Sequence, residues 1–187
     1  NTFMYWPESL SKQIQKKVEE PYHVDDMKTP SGKVHMGSLR GVVIHDVIHK
    51  ELIKEGKESV YTYIYNDMDP FKKIPTYLEG YEENLGKPLF KIKAPYDKGT
   101  YAEYFAQSFS ESFYKIGCTP EILFSSKLYQ EGQFNDVIRE ALDKVEEIRE
   151  IYEDVAGYEK PENFYPIQVI CPSCGKIGTT LVTGWDG

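Results

Sequence analysis

Apolar side chains recur along the chain with two periods, and the switches between them mark out its elements. Leu10, Ile14 and Val18 stand at helical spacing, which predicts a first helix ended by Pro21. Residues 22–27 read as a short strand running into a loop of Thr, Pro, Ser and Gly. From Ser38 to Glu55 the pattern is helical again and closes at Gly56, after which SVYTYIY (59–65) has the β-branched and aromatic make-up of a buried strand. Residues 66–99 are irregular, punctuated by Pro70, Pro75, Pro88 and Pro95. Thr100 and Glu103 have the form of a capping box, in which each side chain satisfies a backbone N–H that the helix start leaves unpartnered. Phe105, Phe109, Phe113 and Ile116 continue that helix to Gly117, and EILFSS (121–126) is the next strand. Finally, Phe134, Ile138, Ala141, Leu142, Val145, Ile148, Tyr152 and Val155 share one face of a single long helix ended by Gly157.

Strand, helix, strand, helix, strand, helix predicts an α/β fold with a parallel sheet and right-handed crossovers. A Pro-containing linker, EKPENFYP (159–166), then leads into a short tail rich in Gly and Thr that contains CPSCG. The pattern divides the chain into a body over residues 1–160 and an appendage over 161–187.

Composition narrows the picture. The 187 residues suffice for one sizeable core with a small appendage, and no apolar run approaches the length of a membrane span. The opening NTFMYWPESL lacks the basic start and apolar stretch of a signal peptide, and it lacks an initiator Met, so the chain reads as an excerpt of a longer one. A net charge of −8 gives no support to a protein that wraps nucleic acid as its main business. Three Cys, with Cys118 standing alone, make no disulfide framework and fit a reducing cytoplasm.

The chemistry concentrates in KTPSGKVHMGSLRG (28–41). In an open parallel sheet, ligands sit beyond the C-terminal ends of the strands, where a helix N-terminus points its free N–H groups. Gly32 and Gly37 let backbone approach a ligand closely, and His35 can donate a hydrogen bond to phosphate. The Gly-Lys-Ser/Thr ending of a P-loop is absent. The alternative for His35-Met36-Gly37-Ser38 is an ordinary helix entry with Ser38 as its cap.

TPSGKVHMGS (29–38) resembles the HIGH signature of class I aminoacyl-tRNA synthetases, and its Thr-Pro-Ser-Gly lead-in is most similar to the archaeal-type class I lysyl-tRNA synthetases. YNDMDPFKKIP (65–75), TYAEYF (100–105) and NFYPIQVICPSCGK (163–176) are similar to later blocks of that family, in order and spacing. The resemblance implies a Rossmann-like catalytic domain that joins the carboxylate of L-lysine to the α-phosphate of ATP, with Mg2+, and passes the lysyl group to tRNA(Lys). It implies His35, Gly37 and Ser38 as catalytic residues, and ATP contacts from Pro30, Ser31, Gly32, Lys33, Val34 and Met36 as well. Thr29 would touch the amino acid, and Asp67 or Asp69 would hold the lysine ammonium. Two departures stand out: Met27 where the family usually has Gly, and Ser38 where it commonly has Asn. The Lys-rich second signature does not appear, so the chain is expected to be the N-terminal part of the enzyme, binding ATP weakly and catalysing poorly alone. Two rivals keep parts of this reading: a nucleotidyltransferase with the same loop and helix, and a synthetase-like module that senses amino acid or RNA without catalysis.

Two further patterns invite metal. HDVIH (45–49) imitates a zinc-protease helix, but Asp46 replaces its Glu and no third ligand follows, so His45 and His49 read as inward-facing and satisfied. Cys171-Pro-Ser-Cys174-Gly has the shape of a zinc knuckle, and supplies half of a zinc-ribbon site at the start of a truncated insertion.

Overall fold

A computed structural model describes residues 5–96 and 98–187; the first four residues of the opening stretch NTFMYWPESL lie outside them. Helix α1 (Trp6–Gln15) leads to strand β1 (Tyr22–Lys28), helix α2 (Leu39–Lys54) and strand β2 (Ser59–Tyr65). Helix α3 (Tyr101–Lys115) and strand β3 (Glu121–Phe124) complete a parallel sheet of order β1-β2-β3. Three helices follow: α4 (Ser125–Gln130), α5 (Asn135–Asp143) and α6 (Val145–Ala156). Among the described residues, no helix is long and apolar enough to cross a membrane.

Register explains which face is packed. Val24 pairs with Tyr61, and Tyr65 pairs with Phe124, so Tyr22, Val24, Tyr61, Tyr63, Tyr65, Ile122 and Phe124 point to one side of the sheet. Ile14 of α1 and Ile48 and Leu52 of α2 close over the β1 end of that face. Ala106, Phe109 and Phe113 of α3 close over Tyr63 and Tyr65. Tyr65 donates its buried hydroxyl to the Ala106 carbonyl at 3.0 Å, which a Phe there could not do. Both crossovers thus lie on the same face, as right-handed connections must when the strand order advances in one direction.

The irregular stretch after β2 is stitched rather than loose. Phe71 N–H donates to the Lys87 carbonyl at 2.8 Å and Gly86 N–H to the Phe71 carbonyl at 2.9 Å. Phe71, Leu78, Leu89, Ile92, Tyr101 and Phe105 form a second apolar cluster under it. The capping box is present, with Glu103 N–H on the Thr100 hydroxyl at 3.1 Å and Thr100 N–H on the Glu103 carboxylate at 2.8 Å.

Two expectations need correction. The strand read over residues 121–126 stops at Phe124, because Ser125 and Ser126 start α4. The long final helix is two, broken at Lys144 (φ −106°, ψ 29°); nothing in its side-chain pattern announces the break.

Candidate functional site

All three strands end on the same edge, and the residues that leave them converge there. Asn66 N–H donates to the Lys28 carbonyl at 3.0 Å, tying the exits of β1 and β2 together. One step on, the Thr29 hydroxyl donates to Asp69 Oδ2. Thr29, Ser31 and Asp69 line a crevice of about 580 Å³ with Lys72, Lys73 and Tyr77. Asp69 also borders a second hollow of about 590 Å³, walled by Tyr129, Ile138 and the tail residues Pro166, Ile167 and Val169. A carboxylate shared by two hollows, beside two lysines, offers a cation site next to an anion site.

Two tyrosines hold the loop after β1. Tyr101, fully buried, donates its hydroxyl to the Ser31 carbonyl at 2.8 Å, and burial pushes that hydroxyl's pKa up, so it stays a donor. Lys33 N–H donates to the Tyr77 hydroxyl at 2.7 Å, and the Lys33 ammonium sits 4.7 Å from the centre of that ring. A Cβ on Gly32 would stand 2.6 Å from the same hydroxyl, so only glycine allows the loop this close to Tyr77. Pro30 is buried and Val34 packs on the main core, which fixes the loop at both ends.

Beyond Val34 the chain turns out to solvent. His35 is exposed and leads into one 3-10 turn, Met36–Ser38, before α2 begins. A Cβ on Gly37 would lie 3.0 Å from the His35 ring, so Gly37 makes room for the imidazole over the helix start. Ser38 makes no capping hydrogen bond, which removes the ordinary-cap explanation for this residue. Gly41 lets the first turn of α2 sit on Asp26, where a Cβ would be 2.7 Å from Oδ2. The structure therefore brings Thr29, Ser31 and Asp69 into one crevice, and leaves His35, Met36 and Gly37 exposed and Ser38 half-buried at the helix start outside its walls.

Asp67 has a different task. Its carboxylate is buried and accepts from Ser126 N–H at 2.7 Å, from the Ser126 hydroxyl at 2.6 Å and from the Ser125 hydroxyl at 3.0 Å. It fastens the loop after β2 to the start of α4 and does not line the crevice. Sequence reasoning missed Tyr77, Ser125 and Ser126; the Ser-Ser pair directly after a strand was the available signal.

The histidine pair is structural. His45 Nδ1 bonds the Gly41 carbonyl at 2.8 Å, His49 Nδ1 bonds the Ser59 hydroxyl at 2.9 Å, and both rings flank Tyr61. Asp46 is buried against Lys50 at 2.6 Å. Cys171 and Cys174 sit on a tight turn closed by Gly175 N–H to the Cys171 carbonyl (2.8 Å) and Cys171 N–H to the Lys176 carbonyl (2.9 Å). Hydrogen bonds from Thr179, from the Lys176 backbone and from Cys171 bring the Cys174 thiol down to about 7. Among the described residues, no group of three or more His, Cys, Asp or Glu could hold a metal. A complete zinc site is thus not built from them.

The family model of class I tRNA synthetases (K) matches residues 4–187. The chain is 36% identical over 184 residues to the lysine–tRNA ligase of Picrophilus torridus, covering 98% of this chain and 36% of that protein. It is 35% identical over 185 residues to lysine–tRNA ligase 1 of Methanosarcina acetivorans, covering 98% of this chain and 34% of that one. The lysine–tRNA ligase of Archaeoglobus fulgidus is 34% identical over 185 residues, with 98% and 37% covered. The chain spans about a third of the length of these curated relatives. A parallel sheet with the loop and helix start at its C-terminal edge is the Rossmann-like arrangement the motifs imply, and the chain belongs to the class I lysyl-type tRNA synthetase family.

Proposed function

We propose that this chain is the ATP- and lysine-binding portion of a class I lysine–tRNA ligase, using L-lysine, ATP with Mg2+, and tRNA(Lys). The observation that carries the reading is the Thr29–Asp69 pair lining the crevice, in the loop that leads from β1 to the start of α2. The lysine carboxylate is already a nucleophile at neutral pH, so the first step asks for in-line placement and for donors aimed at charge building on phosphate. Pro30, Ser31, Gly32, Lys33 and Val34 carry the loop along the ATP, and His35, the Gly37 N–H and the Ser38 hydroxyl supply donors to its phosphates. Asp69 holds an ammonium group of lysine and Thr29 orients that carboxylate. Asp67 is excluded from the role because its oxygens are occupied by Ser125 and Ser126. The exposed ammonium groups of Lys72 and Lys73 lie in the same crevice and suit phosphate or the tRNA end.

Zinc chemistry requires four ligands, and Cys171 and Cys174 on their tight turn suit two of them, which makes residues 161–187 the start of a zinc-ribbon-like segment. Reduced cysteines fit a cytoplasmic setting.

Calorimetry with lysine and norleucine tests the central claim. Lysine should bind, norleucine should not, and Asp69→Asn should remove the difference. Equal binding of the two ligands, or a preference that survives Asp69→Asn, sinks the assignment. Pyrophosphate exchange that needs ATP but no amino acid would instead mark a nucleotidyltransferase.

A further inference from the structure

Two loops run side by side at the C-terminal edge of the sheet and are tied together twice. The Thr29 hydroxyl donates to Asp69 Oδ2, and Lys33 N–H donates to the Tyr77 hydroxyl at 2.7 Å. Between the ties lies the crevice, with Lys72 and Lys73 in its wall. Tyr77 brings a third ammonium group to the second tie, because it holds Lys33 by backbone and side chain at once. Its hydroxyl takes the amide, and its ring centre lies 4.7 Å from Nζ. Tyr77 is itself anchored: the Tyr96 hydroxyl donates to its carbonyl at 3.2 Å, and its ring centre lies 6.4 Å from that of buried Phe105.

These three cations are not neutralised. Lys12, Lys50, Lys54, Lys57 and Lys144 each meet a carboxylate. Among the described residues Lys33, Lys72 and Lys73 form no ion pair, although the net charge of the chain is −8. The Lys72 and Lys73 amides also donate to no acceptor among those residues, since 71–75 joins no helix or strand. The carboxylate that lines the crevice, Asp69, is engaged at the first tie. Positive groups gathered round one hollow raise the local potential for a multiply charged anion.

The proposed reaction says which anion. A lysine carboxylate oxygen forms a bond to the α-phosphorus of ATP, the bond from that phosphorus to the bridging oxygen breaks, and its electron pair leaves on pyrophosphate. With the amino acid at Thr29 and Asp69, an in-line leaving group departs away from the first tie. We propose that Lys33, Lys72 and Lys73 form the subsite for the β- and γ-phosphates of ATP and for the pyrophosphate they become, with Tyr77 as the positioning residue that presents Lys33. The inference rests on the catalytic reading above and names which groups of this chain take the leaving group. Single-stranded RNA is the poorer match, because its charge is spread along its length, whereas these lysines gather round one hollow of about 580 Å³.

The test is calorimetry on this chain with inorganic pyrophosphate at fixed ionic strength. Pyrophosphate should bind roughly tenfold or more tightly than inorganic phosphate, and should compete with ATP. Lys33→Met, Lys72→Met and Lys73→Met should each weaken it by roughly fivefold, whereas Lys115→Met, at the exposed end of α3, should not. Tyr77→Leu should weaken it as much as Lys33→Met, and the double variant no further, because the two side chains act as one unit. Tyr77→Phe keeps the ring and should lose less. Lysine binding should be unchanged in all of these variants, a result that general loosening of the loops would not give. Equal affinity for phosphate and pyrophosphate, independent binding of pyrophosphate and ATP, or additive losses at Lys33 and Tyr77 overturns the proposal. So does a single-stranded RNA ending in CCA that depends on the three lysines while pyrophosphate does not. Pyrophosphate binding is read without lysine, so the two readings fail separately. Its loss with lysine still told from norleucine sinks only the subsite, and the reverse keeps the subsite while removing the ligase assignment.

Discussion

Gly32 and the Tyr77 hydroxyl compete for one small volume, since a Cβ at position 32 would stand 2.6 Å from that oxygen. Gly32→Ala should therefore push Tyr77 off Lys33 N–H and cost about 1 kcal/mol. Tyr77→Phe removes the same bond but also vacates the space, so the double variant should cost clearly less than the sum of the singles, as thermal denaturation can measure. Simple additivity would mean the contact does not shape the loop. A few residues away, Asp67 and Asp69 look equivalent in the sequence yet differ in what surrounds them. Asp67→Ala should leave the Ser126 hydroxyl and the Ser126 N–H unsatisfied, the Ser125 hydroxyl keeping Asn66 Oδ1, and cost about 2 kcal/mol, whereas Asp69→Ala should have little effect on stability. His49 adds a pH dependence. Burial lowers its pKa below the ordinary value; the Asp46 carboxylate opposes this to a smaller extent, and the Lys50 ammonium adds to it. Unfolded, it takes a proton near pH ~6.5, so acid favours the unfolded chain. The melting temperature should fall modestly as pH drops from about 7.5 to about 5.5, and His49→Gln should flatten that slope.

Elements were legible where local chemistry alone decides them. The box at the start of α3 depends on Thr100 and Glu103 only, so it was readable and is present. Thr100→Ala should cost about 1 kcal/mol while Thr100→Ser costs little, measured by denaturant unfolding. The strands followed from Tyr61, Tyr63 and Tyr65 alternating into the core. What stayed hidden depends on distant partners. Helix α4 exists because Asp67, on another element, accepts from its first residues. The break at Lys144 separates two helices whose apolar stripes read as continuous, since a stripe records which face is apolar and not where the axis bends. In the site, the loop sequence placed a helix start at the C-terminal edge of the sheet, yet the tyrosines that brace the loop come from elsewhere in the chain.

At the scale of the whole molecule, net charge was the weakest guide. A chain of −8 belongs to a tRNA synthetase family, since charge is unevenly placed: Lys72 and Lys73 line the crevice while Glu146, Glu147, Glu150 and Glu153 crowd α6 far along the sequence. The split into a body and an appended tail is the other global reading, and packing gives it a measurable consequence. Ile177 N–H donates to the Gly86 carbonyl at 2.7 Å, and Arg149 donates to the Phe164 carbonyl at 3.2 Å. The Trp185 indole N–H reaches Asp143 at 2.6 Å. Residues 166–170 also wall the hollow that borders Asp69. A tail that merely hung from the body could be removed without effect. This one is bonded to the loop after β2, to α5 and to α6, so deleting residues 161–187 should uncover half-buried Ile138 and lower the melting temperature by several degrees, at roughly 2–4 °C per kcal/mol lost. The same deletion should speed amide exchange at Met68, whose N–H donates to Ser125 beside the hollow the tail walls. An unchanged melting curve with unchanged exchange there would show that the body carries its crevice without the tail.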